Sequence, residues 1–269
     1  MRLKEVVNLS YDIIEEIIQR LNIVKKVFMF NKERYNRNIL INCIGEKGQK
    51  TLLDAKVLVA GAGGLGSNVI ANLASLGIGN IGIIDNDKVE LSNLNRQYIH
   101  KFDNIGKNKV ESAKEWINSF NPDINVEIYQ TRLDENNYKE IISSYDMIID
   151  CFDSYKSKFL LNKIAVENNK ILIHGGITEF YGQVTVIIPH QTACLSCFIS
   201  DTDIEVCETK GSISPAVATI ASIQSMETVK ILLGIGIPLT NQLLSYNGLN
   251  QSFKKSNILK NINCSLCSK

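Results

Sequence analysis

The hexapeptide GAGGLG at residues 61–66 is the feature that most constrains the fold of this chain. It stands between an apolar run that predicts a strand (Lys56–Ala60) and one that predicts a helix (Ser67–Leu76). Glycines at the first, third and sixth positions let the chain turn tightly, let the backbone approach a phosphate, and let helix and strand pack closely. Because the helix N-terminus then faces the anion, the segment predicts a nucleotide phosphate site, without indicating which nucleotide.

Composition narrows the classes of partner. The chain has 269 residues, 45% of them hydrophobic, which is enough for one large globular domain. Its 29 basic and 28 acidic residues leave a net charge of +1, so we expect no nucleic-acid partner. The N-terminus lacks the pattern of a secretory signal, and we expect no apolar run of membrane-spanning length, because Gln224, Glu227 and Lys230 interrupt the most hydrophobic predicted helix. We therefore expect a cytoplasmic protein with no membrane partner.

Four of the seven cysteines form two CxxC pairs, and a cytoplasmic location makes disulfides unexpected. Cys194 and Cys197 lie in TACLSCF, and Cys264 and Cys267 lie in NCSLCSK. Two such pairs are typical of a tetrahedral structural zinc site, with two unrelated surface pairs or a redox motif as the alternatives. The remaining Cys43 and Cys151 are predicted to be buried apolar residues.

The order of apolar segments predicts the fold class. Strands and helices alternate through the first two thirds of the chain, which predicts an α/β, Rossmann-like, doubly wound and mostly parallel sheet. The later segments predict antiparallel strands that extend this sheet around one long buried helix. The predicted strands are Lys56–Ala60, Ile81–Ile84, Val126–Tyr129, Met147–Cys151, Ile171–His174, Gln183–Ile188 and Leu243–Phe253, and the predicted helices after the first are 108–120, Lys158–Glu167 and Pro215–Leu233.

Charged residues after the second and fourth strands indicate which nucleotide binds. Asp85 ends the second strand, where a carboxylate accepts hydrogen bonds from ribose hydroxyls in either an ATP or an NAD enzyme. The following loop carries Arg96, and GKNK adds Lys107 and Lys109. Such cations suit a triphosphate better than a nicotinamide, because fixed donors stabilise the charge on transferring phosphoryl oxygens. Taken singly, each residue could equally belong to a solvated loop.

The segment DCFD at residues 150–153 ends the fourth predicted strand. Ligands of doubly wound sheets bind at this carboxyl edge. A carboxylate there could hold Mg²⁺, which commonly bridges carboxylates and phosphates. The alternative for these aspartates is helix capping.

Together the motifs resemble the ThiF/MoeB/HesA family, relatives of the ubiquitin-activating enzymes. The resemblance rests on GAGGLG, DNDKVELSNLNRQ, GKNK, DCFD, RYNRN at residues 34–38 and the two CxxC pairs, in order from Arg34 to Lys269. It implies a homodimer that binds ATP and Mg²⁺ and adenylates the C-terminal carboxylate of a small ubiquitin-like sulfur carrier protein. It also implies an adenylation domain over residues 31–269.

The resemblance assigns roles to matching positions. Asp85 would bind ribose, Asp153 would coordinate magnesium, and Arg37 would reach the neighbouring subunit's site as an arginine finger. Phosphate would be cradled by Gly61, Gly63, Gly64 and Gly66, and the triphosphate would contact Asn93, Arg96 and Lys109 with Gln97 nearby. Little base catalysis is needed, because the attacking carboxylate is already ionised at neutral pH.

Two regions keep more than one interpretation. Cys207 is a candidate nucleophile for a thioester or a disulfide with the activated carrier, although MoeB-type relatives do without this thiol. Residues 1–30 predict a helix and a strand, because Ile13, Ile14, Ile17, Ile18 and Leu21 recur at helical spacing. This extension would pack on its own subunit or on its dimer mate, or it would dock a peptide, as in the microcin-activating members.

Three alternatives to sulfur-carrier adenylation stay open at this point. One is an adenylating enzyme that modifies the C-terminus of a ribosomal peptide. Another is a non-catalytic ATP-binding scaffold, which the retained charges disfavour. The third is an NAD-dependent oxidoreductase, which predicts tighter binding of NAD than of ATP.

Overall fold

A computed structural model describes residues 31–199 and 211–268 of the chain. The predicted extension over residues 1–30 and the candidate nucleophile Cys207 lie outside the described residues. The chain divides into two compact units between Lys50 and Thr51. The predicted boundary at residue 30 coincides with the edge of the described residues and stays a prediction.

The described elements follow the predicted alternation. The helices are α1 (Asn36–Ile39), α2 (Gly45–Asp54), α3 (Gly64–Leu76), α4 (Lys109–Phe120), α5 (Tyr138–Ser143), α6 (Tyr155–Glu167) and α7 (Ser214–Leu233). The strands are β1 (Lys56–Ala60), β2 (Asn80–Ile84), β3 (Asn125–Tyr129), β4 (Met147–Asp150), β5 (Ile171–Thr178), β6 (Tyr181–Ile187), β7 (Gln242–Asn247) and β8 (Ser252–Asn257).

All eight strands form one sheet in the order β3-β2-β1-β4-β5-β6-β7-β8. The first five strands along the chain pair in parallel, and the last three add on antiparallel. The strand order therefore reverses between β1 and β4, whose last residues Ala60 and Asp150 are in register. This is the switch point at which doubly wound sheets bind ligands. The predicted fold class is confirmed.

The predicted terminal strand Leu243–Phe253 is wrong in one respect, because this segment forms the hairpin β7–β8. Its turn begins where the Asn247 side chain accepts the Leu249 backbone N–H at 3.0 Å. The Asn250 side chain then accepts the Ser252 N–H at 3.2 Å, and Gln251 adopts a positive φ of 55°. These local side-chain bonds compete with continued extension and reverse the chain.

Helix α7 corrects the expectation that polar residues rule out a segment of spanning length. Its 20 residues are long and apolar enough to cross a membrane by length and composition alone. The core helix of a globular protein meets the same criterion, and half of the helix's most apolar stretch is buried. Ala216, Val217, Ile220 and Ala221 belong to the main core, where α7 packs against α3, β5 and β6.

Two apolar clusters cover the two faces of the sheet. Val57 and Val59 of β1 contribute to one cluster, and Leu58 and Ala60 contribute to the other. This alternation is what a strand buried on both sides requires. Cys151 is buried as predicted, whereas Cys43 is exposed and the prediction for it is wrong.

Candidate functional site

The glycine loop joins β1 to α3, and two of its glycines are required sterically. Gly61 has a φ of 106°, and a Cβ there would lie 2.9 Å from the carbonyl oxygen of Cys151. A Cβ at Gly66 would lie 1.9 Å from the carbonyl oxygen of Gly61. Gly63 and Gly64 meet no such barrier, with nearest atoms at 3.8 and 3.4 Å. Gly63 and Gly64 therefore leave the backbone accessible for a ligand, whereas Gly61 and Gly66 allow the loop to close.

Asp85 holds this loop from the end of β2. Its Oδ2 accepts the N–H of Ala62 at 2.7 Å, and its Oδ1 accepts the N–H of Asp87 at 2.8 Å. Burial raises the pKa of Asp85, while the two N–H groups and Lys109 act in the opposite direction. The residue predicted to bind ribose therefore also fixes the glycine loop.

His100 supports the same loop from the other side. Its Nε2 lies 3.0 Å from the carbonyl oxygen of Ala62, so Nε2 carries the proton and donates. Nδ1 then accepts from the Ser112 hydroxyl at 2.9 Å. Burial lowers the pKa of His100, which keeps the ring neutral in this role. Sequence reasoning missed this role, because the partners of His100 lie 38 and 12 residues away along the chain.

Arg96 is the cation that the structure brings to the glycine loop. Its Cδ and Nε lie 3.8 Å from where a Cβ of Gly64 would be. Its Nη1 donates to the Ser92 carbonyl at 2.9 Å and to the Asn95 side chain at 2.8 Å. Asn68 on α3 donates to the backbone oxygens of both Gly64 and Arg96 and so ties the loop to the helix. These contacts place the guanidinium beside the N-terminus of α3.

Gln97 and Asn93 occupy the same loop with different surroundings. Gln97 Nε2 lies 3.8 Å from where a Cβ of Gly63 would be, and its buried Oε1 has no hydrogen-bond partner among the described residues. This oxygen is an acceptor, so a ligand group that donates a hydrogen bond would satisfy it. Asn93 instead accepts the Glu90 N–H at 3.0 Å and caps a short 3₁₀ helix. The structure therefore gives Asn93 a role in holding the loop, and its contact with triphosphate stays a prediction.

Lys109 begins α4 and forms an ion pair with Asp87, with 2.9 Å between Nζ and Oδ2. The lysine side chain is 8% exposed, whereas Asp87 is largely exposed. Its neighbour Lys107 instead pairs with Glu115 on the protein surface. Of the two lysines in GKNK, only Lys109 is therefore connected to Asp85 and the glycine loop.

The DCFD turn follows β4 and contacts the glycine loop through the Cys151 carbonyl. Asp153 is exposed at this edge, in keeping with its predicted role as a magnesium ligand. Asp150 is fully buried and accepts from Lys158 and from His174 Nδ1. Burial would raise the pKa of Asp150, but Lys158 and His174 outweigh burial and lower it.

The interior histidine of this cluster is neutral. Burial lowers the pKa of His174, so its Nδ1–H donates to Asp150 as an uncharged group. Sequence reasoning missed the cluster, since Asp150, Lys158 and His174 come from three different elements and form no local motif.

The four cysteines of the CxxC pairs converge after β6 and near the C-terminus. Neighbouring sulfurs lie 3.5 to 4.0 Å apart, and all four lie within 4.8 Å of one another. A tetrahedron with metal–sulfur bonds of about 2.3 Å has edges of about 3.8 Å, so the cluster fits zinc. A closed set of four protein ligands leaves no open position, so a metal held there would be structural.

Ionisation within the cluster is uneven. Burial opposes ionisation of Cys264, but the N–H groups of Cys267 and Leu266 lower the pKa of its thiol to about 7. Burial and the neighbouring sulfurs raise the pKa of Cys194. Zinc would supply the positive charge that makes four adjacent thiolates tolerable.

One predicted catalytic residue belongs to the other compact unit. Arg37 lies on α1 in the unit that ends at Lys50, and its side chain is exposed. Exposure is compatible with a role in a neighbouring subunit, and that role stays a prediction.

Comparisons with known proteins agree with this geometry. The ThiF family matches residues 35–266. A SAMP-activating enzyme E1 from Haloferax volcanii is 35% identical over 239 residues, which cover 87% of this chain and 88% of that protein. A sulfur carrier protein adenylyltransferase from Thermus thermophilus is 35% identical over 245 residues, with 87% and 90% covered. An adenylyltransferase and sulfurtransferase MOCS3 from Culex quinquefasciatus is 35% identical, and the match covers 61% of its length.

Solved structures of E. coli MccB share the fold. MccB with AMPCPP and the peptide MccA has a TM-score of 0.75 and 27% identity, covering 88% of this chain and 75% of that chain. MccB with a modified MccA has a TM-score of 0.78 at 24% identity, which shows the fold alone.

Proposed function

The chain belongs to the ThiF family, and from this premise we propose that it is an ATP-dependent adenylyltransferase that activates the C-terminal carboxylate of a ubiquitin-like sulfur carrier protein. The observation that carries the proposal is the meeting of the glycine loop and the DCFD turn at the switch point, with Arg96 beside Gly64. Relatives of nearly the same length are named for this activity.

The reaction follows from charge and position. The carrier's carboxylate oxygen attacks the α-phosphorus of ATP, the bond from that phosphorus to the bridging oxygen breaks, and pyrophosphate leaves. Arg96 and Lys109 would neutralise charge on the phosphoryl oxygens as the leaving group departs. The helix N-terminus at Gly64 offers N–H groups to the phosphates. No general base is required, because the nucleophile is a carboxylate.

Ribose and metal would occupy opposite sides of this arrangement. Asp85 retains acceptor capacity beyond its two backbone bonds and would bind a ribose hydroxyl. Asp153 would hold Mg²⁺ with ATP oxygens and waters as the other ligands. Bound there, the ion would neutralise phosphate charge.

The remaining assignments complete the proposal. The protein would work in the cytoplasm as a homodimer, with Arg37 of each subunit completing the other subunit's site. Zinc bound by Cys194, Cys197, Cys264 and Cys267 would stabilise the fold. In a step separate from adenylation, the thiolate of Cys207 would attack the acyl carbon of the carrier adenylate, forming a thioester and releasing AMP.

The test is ATP–pyrophosphate exchange with purified candidate carriers. A carrier ending in Gly-Gly should stimulate exchange, and the same carrier with a C-terminal amide should not, because the amide lacks the nucleophile. Arg96→Ala should reduce exchange at least about 100-fold, in the range seen when one donor to transition-state charge is removed. Lys163→Met, which removes an exposed ion pair with Glu135, is the control and should leave exchange unchanged. Unstimulated exchange with every carrier would refute the assignment.

A peptide substrate is the second candidate, favoured by the likeness to MccB bound to MccA. Short peptides with free C-termini are tested as substrates in the same exchange assay. Stimulation by a peptide and not by any carrier protein would select this alternative.

A further inference from the structure

A buried cluster of charges flanks Asp153 in the sequence, with Asp150 before it and Lys158 and His174 after it. Lys158 Nζ lies 3.3 Å from each carboxylate oxygen of Asp150 and donates to the Gly175 carbonyl at 2.7 Å. His174 Nδ1 donates to Asp150 Oδ2 at 2.7 Å. The Asp150 and His174 side chains are fully buried and that of Lys158 is 7% exposed. Because removing charges from water offsets their attraction, such a pair is a poor source of net stability and calls for another explanation.

The position of Lys158 strengthens that argument. Ser154 caps α6, its hydroxyl accepting the Ser157 N–H at 3.2 Å, so Lys158 lies next to the positive end of the helix dipole. A cation there is disfavoured unless an anion compensates. Asp150 is that anion, and it belongs to a different element. The ion pair therefore attaches the start of α6 to the end of β4.

The chain between these two anchors contains Asp153. On one side, Asp150 Oδ1 also accepts the Phe152 N–H at 3.2 Å, which fixes the turn after β4. Gln224 of α7 donates to the Asp150 carbonyl at 2.8 Å. On the other side, Ser154 begins α6. Asp153 thus lies between two anchored points, the turn that the Asp150 carboxylate closes and the N-cap of α6.

We propose that the Asp150–Lys158 pair is a positioning device that fixes Asp153 as a metal ligand at the nucleotide site. The proposal rests on the proposed function, because only that function gives Asp153 a metal to bind. Groups that orient a ligand in this way typically change metal affinity by 10- to 100-fold when removed. Both side chains are buried, so the pair would act through Asp153 and not by direct contact with nucleotide or carrier.

Metal binding is measured directly by electron paramagnetic resonance, with Mn²⁺ as the probe and saturating AMPCPP as the nucleotide. Lys158→Met should weaken Mn²⁺ binding at least about tenfold, and AMPCPP binding measured by calorimetry in EDTA should stay unchanged. Lys163→Met on the same helix is the control and should bind Mn²⁺ like the wild type. Asp153→Ala is the reference for loss of the ligand.

Instability is separated from positioning by the double variant Asp150→Asn/Lys158→Met. It removes both charges, so it should unfold at a higher temperature than Lys158→Met. The amide introduced at position 150 can still accept the Phe152 N–H, but without the ion pair α6 is no longer attached to the end of β4. Mn²⁺ binding should therefore stay weak. Recovery of wild-type Mn²⁺ affinity in the double variant, or wild-type affinity in Lys158→Met, overturns the proposal. Absence of exchange activity in the wild type would instead refute the proposed function.

Discussion

Substituting Gly66 by alanine tests how the glycine loop is built. The new Cβ would lie 1.9 Å from the Gly61 carbonyl oxygen, and ordinary contact begins near 3.4 Å, so the loop and α3 must separate by about 1.5 Å. Overpacking of this kind costs about 1–3 kcal/mol, and a backbone atom cannot rotate away. Alanine's better helix propensity returns up to about 1 kcal/mol. We expect the free energy of unfolding to fall by about 2 kcal/mol, measured by urea denaturation.

Gly63→Ala is the matched control in the same loop. Its Cβ would meet only the Gln97 side chain, at 3.8 Å, so stability should change by less than about 0.5 kcal/mol. If phosphate lies against this backbone, the methyl group blocks it and ATP affinity should fall in calorimetric titration. Wild-type stability in Gly66→Ala, or equal destabilisation by both variants, would refute this reading of the loop.

Three further predictions concern the metal, the phosphate cation and pH. Elemental analysis of the purified protein should find one zinc per chain. Cys264→Ser should lose the zinc, and its free energy of unfolding should fall by on the order of several kcal/mol. Cys43→Ser, at an exposed cysteine outside the cluster, should keep both the zinc and the stability. Lys109→Gln should lower the exchange rate at least about 100-fold and Lys107→Gln less than about twofold; equal effects would contradict the assignment. Burial lowers the pKa of His100, so the unfolded chain takes up this proton first, and His100 alone should contribute a loss of stability of up to about 1.4 kcal/mol per pH unit below about pH 6.5. Urea midpoints of His100→Gln should therefore fall less steeply with pH than those of the wild type.

The sequence predicted the parts of the fold that depend on local pattern. GAGGLG, the alternation of strands and helices, and the two CxxC pairs each combine residue type with short spacing, and the structure places all of them as expected. The hairpin after Asn247 was missed because Asx turns override an apolar run. Cys43 was misplaced because a single cysteine carries no periodicity that reports its burial.

The candidate site was predictable as a set of residues and not as a network. Asp85, Arg96 and Asp153 were found from their places after strands. The bonds of His100 to Ala62 and of Lys158 to Asp150 join different elements, and only the fold shows them. The structure pairs Lys109 with Asp87, a partner that the sequence could not distinguish from other acidic residues of the loop, and the role of Lys109 at the triphosphate stays a prediction.

The central claim is that the carrier's own carboxylate receives AMP. Intact-mass spectrometry of a Gly-Gly carrier, incubated with the protein, ATP and Mg²⁺ in the absence of a sulfur donor, tests this directly. The account predicts a carrier species heavier by one AMP less one water, which hydroxylamine removes and which Arg96→Ala does not form. An unmodified carrier, with ATP consumed to ADP and phosphate, would contradict it.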